Sequence, residues 1–204
     1  MLGKPKGILF DLDGTLLDTA RDLGNALNWV LSCHQQPTCE YEVYRNIASD
    51  GSQGLLEIGF GQRLAQFDLD TLKAQFLARY EQQICIDTVS FDGVTTLIDG
   101  LNSANIPWGI VTNKPQWLTE LLLPHFTEFD ACKVVVSGDT LAKRKPHPLP
   151  LTYAADVIDI APEHIKQAAG MPICILINHK RSFNIYNCQT RYVVVLQLMK
   201  HYIS

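Results

Sequence analysis

The feature that most constrains this chain is an apolar run near its start, Ile8-Leu9-Phe10, which ends in Asp11-Leu12-Asp13-Gly14-Thr15. Side chains of a strand alternate between its two faces, so carboxylates two residues apart begin on the same face. The glycine permits a sharp turn directly after them, and the threonine adds a hydroxyl beside the carboxylates. The run therefore predicts a buried strand whose carboxyl end presents two acids at one place.

Two carboxylates this close repel each other unless a cation or a shared proton holds them. Mg²⁺ prefers oxygen ligands, so Asp11 and Asp13 are candidate metal ligands. With such a cation present, one carboxylate can attack phosphorus while the other transfers a proton. An EF-hand loop is excluded, because it needs glycine at its sixth position, which counted from Asp11 is Leu16. A solvated turn remains the alternative, and the preceding apolar strand favours the catalytic interpretation.

This segment resembles motif I of the haloacid dehalogenase-like hydrolases, the aspartyl-phosphate phosphatases. Within them it is most similar to the phosphoglycolate phosphatase group, which includes N-acetylmuramate 6-phosphate phosphatases. The resemblance covers about residues 6–163 and implies Mg²⁺-dependent hydrolysis of a small phosphorylated metabolite. It makes Asp11 the nucleophile and Asp13 the acid and base, with the Asp11 carboxylate and the Asp13 backbone carbonyl as metal ligands.

The order of patterns along the chain predicts an α/β fold, since strands alternating with helices indicate a parallel sheet with right-handed crossovers. The resemblance specifies a Rossmann-like core with an inserted α-helical cap. Helical patterns without an intervening strand predict the cap over residues 19–88, and the core over residues 1–18 and 89–204. The predicted cap helices cover about residues 19–33, 41–47, 54–60 and 69–83. The predicted core elements are helices over 94–103, 117–123 and 155–158, and strands over 106–111 and 133–137.

Polar residues follow the predicted core strands, and sites in parallel sheets form at the carboxyl ends of strands. Thr112-Asn113 follows the second core strand and resembles motif II, which implies that Thr112 and Asn113 bind oxygens of the phosphoryl group. A helix cap is the alternative role for these two residues. Ser137 follows the third strand, so we expect Asp11, Thr112 and Ser137 to lie at the same edge.

A basic loop near residue 145 supplies the third part of the expected site. Lys145-Pro146-His147-Pro148 resembles motif III, which implies that the Lys145 ammonium offsets the charge of Asp11 and of the phosphoryl oxygens. The alternative is that Lys143, Arg144 and Lys145 form one solvated basic loop. His147 stands where the family usually has aspartate, and we interpret it as a loop residue.

Two cap residues are candidates for substrate selection. Arg45 and Ser52 lie in the region that matches the substrate-specificity loop of the family, where Arg45 could meet a carboxylate or a sugar. Glycines 51 and 54 permit close approach of the backbone. A plain turn between two helices explains the same residues equally well.

The resemblance breaks after residue 163. The family pattern calls for a strand ending in Gly-Asp, with acids that complete the metal shell, and no such pair occurs between residues 150 and 204. The simplest interpretation is an internal loss of one strand and its acidic loop, with a divergent core after about residue 164. We expect the strand pattern Ile173–Ile177 to move beside Ile8–Asp11, and we expect impaired catalysis. The alternatives are an inactive truncated member of the family and a phosphotransferase of the phosphosugar mutase type.

Composition limits the class of partner. The 204 residues are 47% hydrophobic and carry a net charge of −4, which gives no electrostatic case for binding nucleic acid. The six cysteines include no C-x-x-C pair, so they indicate reduced residues in a cytoplasmic protein. No apolar run reaches the length of a membrane span, so no membrane partner is expected. The sequence does not define an oligomeric state.

Overall fold

A computed structural model of the chain describes residues 7–159 and 175–177. The described residues divide into two compact units: the first comprises those up to Leu16 and from Ser90 onward, and the second is Leu17–Val89. The predictions made for residues 160–174 and 178–204, among them the divergent segment after about residue 164, lie outside the described residues.

The described residues contain six strands and seven α-helices, joined by loops and short 3₁₀ turns. In chain order they are β1 (Gly7–Phe10), β2 (Leu17–Asp18), α1 (Ala20–Cys33), α2 (Tyr41–Tyr44), α3 (Gly51–Phe60), α4 (Leu69–Gln82), β3 (Val89–Ser90), α5 (Val94–Ser103), β4 (Trp108–Val111), α6 (Gln116–Leu122), β5 (Val135–Val136), α7 (Leu149–Val157) and β6 (Ile175–Ile177). None of the described helices has both the length and the apolar character needed to cross a bilayer.

The first unit is organised by a four-stranded sheet in the order β5-β4-β1-β6. β1 pairs in parallel with β4, with Ile8 opposite Trp108, and β4 pairs in parallel with β5. All four residues of β1 and of β4 are buried, which is typical of parallel strands covered on both faces. The predicted α/β class is therefore confirmed, although β5 is shorter than the strand predicted over residues 133–137.

The fourth strand departs from the parallel arrangement. β6 lies beside β1, as predicted for the pattern Ile173–Ile177, but it runs antiparallel, with Ile175 opposite Leu9 and Ile177 opposite Gly7. An apolar pattern predicts that a segment will pair but not its direction, because a strand edge can accept a neighbour in either direction. β6 covers an edge of β1 that would otherwise expose unpaired backbone groups.

Helices and aromatic side chains pack on this sheet. α7 covers Leu9, Val111 and Val136 with its buried face, and Trp108 stands edge-on to Phe10 with ring centroids 6.1 Å apart. α7 begins six residues before the helix predicted at Ala155. The difference arises because Pro148 and Pro150 fall at the start of the helix, where a missing backbone N–H costs nothing.

The second unit, Leu17–Val89, is a group of helices. α1 packs against α3 and α4, and Phe60, Phe76 and Tyr80 are among its fully buried side chains. α2 ends at Tyr44 and α3 begins at Gly51, whereas the periodicity predicted helices over 41–47 and 54–60. A short 3₁₀ turn, Ala48–Asp50, occupies the chain between them.

A buried acid ties the two ends of this helical unit together. The Asp22 side chain on α1 is only 2% exposed. It accepts hydrogen bonds from the backbone N–H groups of Asp87 and Thr88, at 2.9 and 3.0 Å, and from the Thr88 hydroxyl at 2.6 Å. These bonds hold the segment that leaves the unit against the helix that enters it.

Asp22→Ala is expected to lower the free energy of unfolding by about 3 kcal/mol, because it leaves buried donors unpaired at about 1–3 kcal/mol each. Asp22→Asn, which keeps one acceptor oxygen, should cost less. The measurement is urea denaturation followed by circular dichroism. Glu81→Ala, at an exposed position at the end of α4, is the control and should change stability by less than about 0.5 kcal/mol. An Asp22→Ala protein as stable as this control would show that the bonds are dispensable.

Candidate active site

The two carboxylates of the first motif lie directly after β1. The side chain of Asp11 accepts a hydrogen bond at its Oδ1 from the backbone N–H of Leu12, at 2.8 Å. Gly14 has a φ of 74°, a left-handed conformation that glycine adopts without the penalty of a Cβ atom. The turn at Gly14 therefore ends the strand while leaving Asp11 and Asp13 at its carboxyl end.

The second motif lies at the carboxyl end of β4, the strand next to β1. Thr112 is buried, and its backbone N–H donates to the carbonyl of Val136 at 2.8 Å. Its hydroxyl oxygen accepts a hydrogen bond from the backbone N–H of Lys114 at 3.1 Å. Gly138 approaches so closely that an added Cβ would lie 2.3 Å from the Asn113 carbonyl oxygen, so only glycine fits there.

Lys145 reaches the same place from the loop before α7. Its Nζ lies 2.9 Å from Oδ1 of Asp11 and donates to the Val111 carbonyl oxygen at 2.8 Å. The amide nitrogen of Asn113 donates to the backbone carbonyl of Lys145 at 3.1 Å. The structure thus brings together Asp11, Asn113 and Lys145, three residues that lie far apart in sequence.

Lys114 is a member of this cluster that the sequence analysis did not assign. Its side chain is 4% exposed, and its Nζ lies 3.0 Å from Oδ1 of Asp13. A buried lysine almost always has a partner that offsets its charge. The only sequence signal was its place directly after Thr112-Asn113, and a lysine there gives no indication that it is buried.

Burial shifts the ionisation of the first carboxyl. Removal from water raises the pKa of Asp11 above the usual aspartate value, the Lys145 ammonium lowers that pKa in part, and the neighbouring charge of Asp13 raises it further. Lys145 is therefore the side chain that favours the ionised form of Asp11.

The carboxylate oxygens of this cluster could supply some, but not all, of the ligands of a hard cation such as Mg²⁺. Oδ1 of Asp11 is engaged by Lys145 and Leu12, whereas its Oδ2 makes no hydrogen bond or ion pair with any described residue. Mg²⁺ is bound in many enzymes by one or two carboxylates, with water and phosphate oxygens completing its shell. Among the residues that the structure describes, no three of His, Cys, Asp or Glu lie close enough to share a metal ion. The residues present therefore fit Mg²⁺ as part of a shell.

Other acids and the histidine near the site have local roles. Asp139 accepts a hydrogen bond from the Gln116 backbone N–H at 2.7 Å, which satisfies the start of α6. His147 accepts one at Nδ1 from the Leu149 backbone N–H at 3.1 Å. Asp156 lies within α7, and Asp159 follows that helix with a φ of 60°. Within the described residues none of these groups joins the Asp11 cluster.

The two candidate residues for substrate selection belong to the helical unit. Arg45 follows α2, and its guanidinium lies 5.5 Å from the ring centroid of Tyr41. Ser52 lies in the first turn of α3. The roles of Arg45 and Ser52 in substrate selection stay predictions.

Taken together, the core cluster consists of a carboxylate with one oxygen that makes no hydrogen bond or ion pair among the described residues, a second acid beside it, and two ammonium groups. A buried threonine hydroxyl and backbone amides complete the edge of the sheet. Carboxylate nucleophiles of this kind attack phosphorus, and fixed cations stabilise the charge that develops on phosphoryl oxygens. The arrangement is suited to phosphoryl transfer.

Comparison with protein families gives a match between residues 8–166 and the haloacid dehalogenase-like hydrolase family. A phosphoglycolate phosphatase from Xanthomonas campestris pv. campestris (strain 8004) is 43% identical over 157 residues, which cover 77% of this chain and 71% of the relative. An N-acetylmuramic acid 6-phosphate phosphatase from Pseudomonas aeruginosa is 31% identical over 160 residues, 78% of this chain and 71% of the relative.

A solved structure gives the same fold. The crystal structure of a predicted phosphoglycolate phosphatase from Haemophilus somnus 129pt superposes with a TM-score of 0.66 at 23% identity, over 74% of this chain and 71% of the other. At that identity the likeness supports the fold alone.

Proposed function

The chain belongs to the haloacid dehalogenase-like hydrolase family, and on that premise we propose that it hydrolyses a small phosphate monoester through a phosphorylated Asp11. The observation that carries the proposal is the state of the Asp11 carboxylate. Lys145 and the Leu12 amide hold Oδ1, and Oδ2 is left without a partner among the described residues. A carboxylate with one oxygen held in place and the other without a bond is positioned to attack phosphorus.

The reaction has two steps. Oδ2 of Asp11 forms a bond to phosphorus while the bond to the leaving oxygen breaks, and a protonated Asp13 gives that oxygen its proton. Water then attacks the aspartyl-phosphate, Asp13 takes the proton of the water, and the bond between phosphorus and Asp11 breaks. Thr112, Asn113 and Lys145 bind the phosphoryl oxygens during both steps.

Mg²⁺ is the cofactor that we propose, held by the Asp11 carboxylate and the Asp13 backbone carbonyl. When bound, it supplies positive charge that polarises the phosphoryl oxygens. The side chains of this chain orient the ester and move the proton.

The substrate that we propose carries a carboxylate in addition to its phosphate. Two relatives are named for phosphoglycolate and N-acetylmuramic acid 6-phosphate, and both compounds carry a carboxylate and a phosphate. Arg45 would pair with the carboxylate, since a guanidinium matches its geometry with two parallel hydrogen bonds. Ser52 would donate to the same part of the substrate.

A second candidate is a protein that binds phosphorylated ligands without turning them over. The observation in its favour is the incomplete set of metal ligands among the described residues. Both candidates predict phosphate binding, and only the first predicts product.

The test is a panel of 2-phosphoglycolate, N-acetylmuramic acid 6-phosphate and p-nitrophenyl phosphate, with Mg²⁺ or with EDTA. We expect hydrolysis that EDTA abolishes, slower than the turnover of about 10 per second that is typical of enzymes. An acid-quenched reaction should yield a phosphorylated peptide containing Asp11. Absence of both product and phosphopeptide would favour the non-catalytic candidate.

Cap variants extend the same panel. Arg45→Gln and Ser52→Ala should lower kcat/KM for the two carboxylate-bearing substrates by about tenfold or more, while sparing p-nitrophenyl phosphate. Arg79→Gln is the matched control, because Arg79 also lies over an aromatic ring of the helical unit, 5.6 Å from the Trp29 centroid. Equal losses on all three substrates would show that Arg45 and Ser52 support only the fold.

A further inference from the structure

The ammonium that faces Asp11 is carried by a segment with few polar attachments. Most side chains of residues 141–147, which precede α7, are exposed. Among the described residues, the Lys145 carbonyl is the only backbone group of this segment that hydrogen-bonds outside it, and its partner is the side-chain amide of Asn113. One hydrogen bond therefore fixes the backbone from which the Lys145 side chain extends.

The end of β4 holds Lys145 at two points. The carbonyl of Val111, the last residue of the strand, accepts a hydrogen bond from the ammonium at 2.8 Å. Asn113, two residues later, donates to the Lys145 carbonyl at 3.1 Å. A lysine stem is flexible, so restraining both its backbone and its ammonium limits where the charge can lie. With both contacts made, Nζ lies 2.9 Å from Oδ1 of Asp11.

Asn113 can act as such an anchor because its own backbone is confined. Gly138 packs against it so closely that an added Cβ would lie 2.3 Å from the Asn113 carbonyl oxygen, and the Gly138 N–H donates to the Lys114 carbonyl at 2.9 Å. The Asn113 backbone N–H makes no hydrogen bond with any described residue. The side-chain amide is thus committed to Lys145, whereas the backbone N–H is left for a ligand.

We infer that Asn113 is a positioning residue whose side-chain amide holds Lys145 beside Asp11, and that only its backbone N–H contacts the phosphoryl group. The inference rests on the proposed function, because it concerns the same site. The role is one of preorganisation, and displacing a catalytic group by about 1 Å can cost on the order of a hundredfold in rate. A side chain that bound the phosphoryl group directly would contribute whether or not Lys145 was present.

The kinetic experiment is a double-mutant cycle with Asn113→Ala, Lys145→Met and the two combined, measured on 2-phosphoglycolate. Asn113→Ala alone should lower kcat/KM by about tenfold or more, mainly through kcat. Made in Lys145→Met, the same change should cost less than about twofold, because the group that it positions is already gone. Asn113→Gln keeps an amide and should recover part of the loss. An equal cost in both backgrounds would overturn the inference.

A second measurement reports the position of Lys145 without relying on turnover. Brief treatment of the intact chain with acetic anhydride, followed by peptide mass spectrometry, gives the rate at which each lysine is modified. Lys145 should react several-fold faster in Asn113→Ala than in wild type, because its amine is released from two acceptors. Lys143, an exposed lysine of the same segment, is the internal reference and should react at an unchanged rate. Asn113→Ser, too short to reach the same carbonyl, gives the same reading where Asn113→Ala does not fold.

Gln116→Ala is the matched control, because Gln116 is also an exposed amide and its side chain donates to Glu120 on its own helix at 2.7 Å. It should change neither turnover nor the modification of Lys145. Unchanged modification of Lys145 in the Asn113 variants would overturn the inference and leave the proposed function standing. Faster modification in a protein that hydrolyses none of the substrates would support the positioning role of Asn113 and overturn the proposed function.

Discussion

Replacing Asp11 with asparagine is expected to reduce hydrolysis of every substrate by about four orders of magnitude or more, on the scale seen when a nucleophile is removed. The amide cannot form the phosphoryl bond that Oδ2 of the carboxylate forms. The measurement is single-turnover hydrolysis of 2-phosphoglycolate, with the phosphorylated peptide as the second readout. An active variant without the phosphopeptide would show that another group attacks phosphorus.

The same substitution should leave the fold intact and slightly more stable. Burial raises the pKa of Asp11 in the folded protein, so its ionised form is less favourable there than in the unfolded chain. The resulting loss of stability is present at pH values above the folded pKa and disappears as the pH falls below the unfolded value. Asparagine carries no charge, so at neutral pH the variant should melt at or above the wild-type temperature. Asp99→Asn, at an exposed position on α5, is the control and should change neither activity nor melting.

Lys145→Met is expected to lower kcat/KM by about 10²–10³-fold, the usual cost of removing one preorganised group that stabilises transition-state charge. It should also move the acid limb of the pH profile. Lys145 lowers the pKa of Asp11, and only ionised Asp11 attacks, so losing the ammonium raises that pKa and shifts the limb to higher pH. The measurement is kcat/KM against pH for wild type and variant.

Two companion variants separate these effects. Lys145→Arg keeps the positive charge, so the acid limb should return toward its wild-type position even if the rate stays low. Lys143→Met removes a neighbouring exposed charge in the same loop and should do neither. A Lys145→Met enzyme whose profile is displaced no further than that of Lys143→Met would show that the basic loop acts only as a solvated surface.

The sequence predicted the parts of the fold that depend on periodicity and strand-end chemistry. β1 and β4 are short, fully apolar and followed by polar residues, so their existence and the common edge at which Asp11 and Thr112 lie could be predicted, whereas their direct pairing could not. Helix ends were less predictable. The helix predicted from Ala155 begins at Leu149 in the structure, between Pro148 and Pro150, because the first turn of a helix does not require their backbone N–H groups.

The site was predictable only in part, since resemblance identifies motifs and not the contacts between them. Asp11 and Lys145 came from separate motifs, and the structure shows them 2.9 Å apart. Lys114 escaped prediction because burial of a lysine depends on the surrounding tertiary packing. The direction of β6 could not be predicted either, because an apolar segment can pair with a strand edge in the parallel or the antiparallel direction.

The antiparallel direction of β6 limits where a metal ligand could be added to the candidate site. Because β6 runs against β1, Ile175 lies opposite Leu9, near the edge that carries Asp11, and Ile177 lies opposite Gly7 at the far edge. Of the three positions in β6, Ile175 is therefore the one nearest to the site and Ile177 the one farthest from it. β6 thus supports β1 through backbone pairing, and its carboxyl end lies at the edge of the sheet away from Asp11.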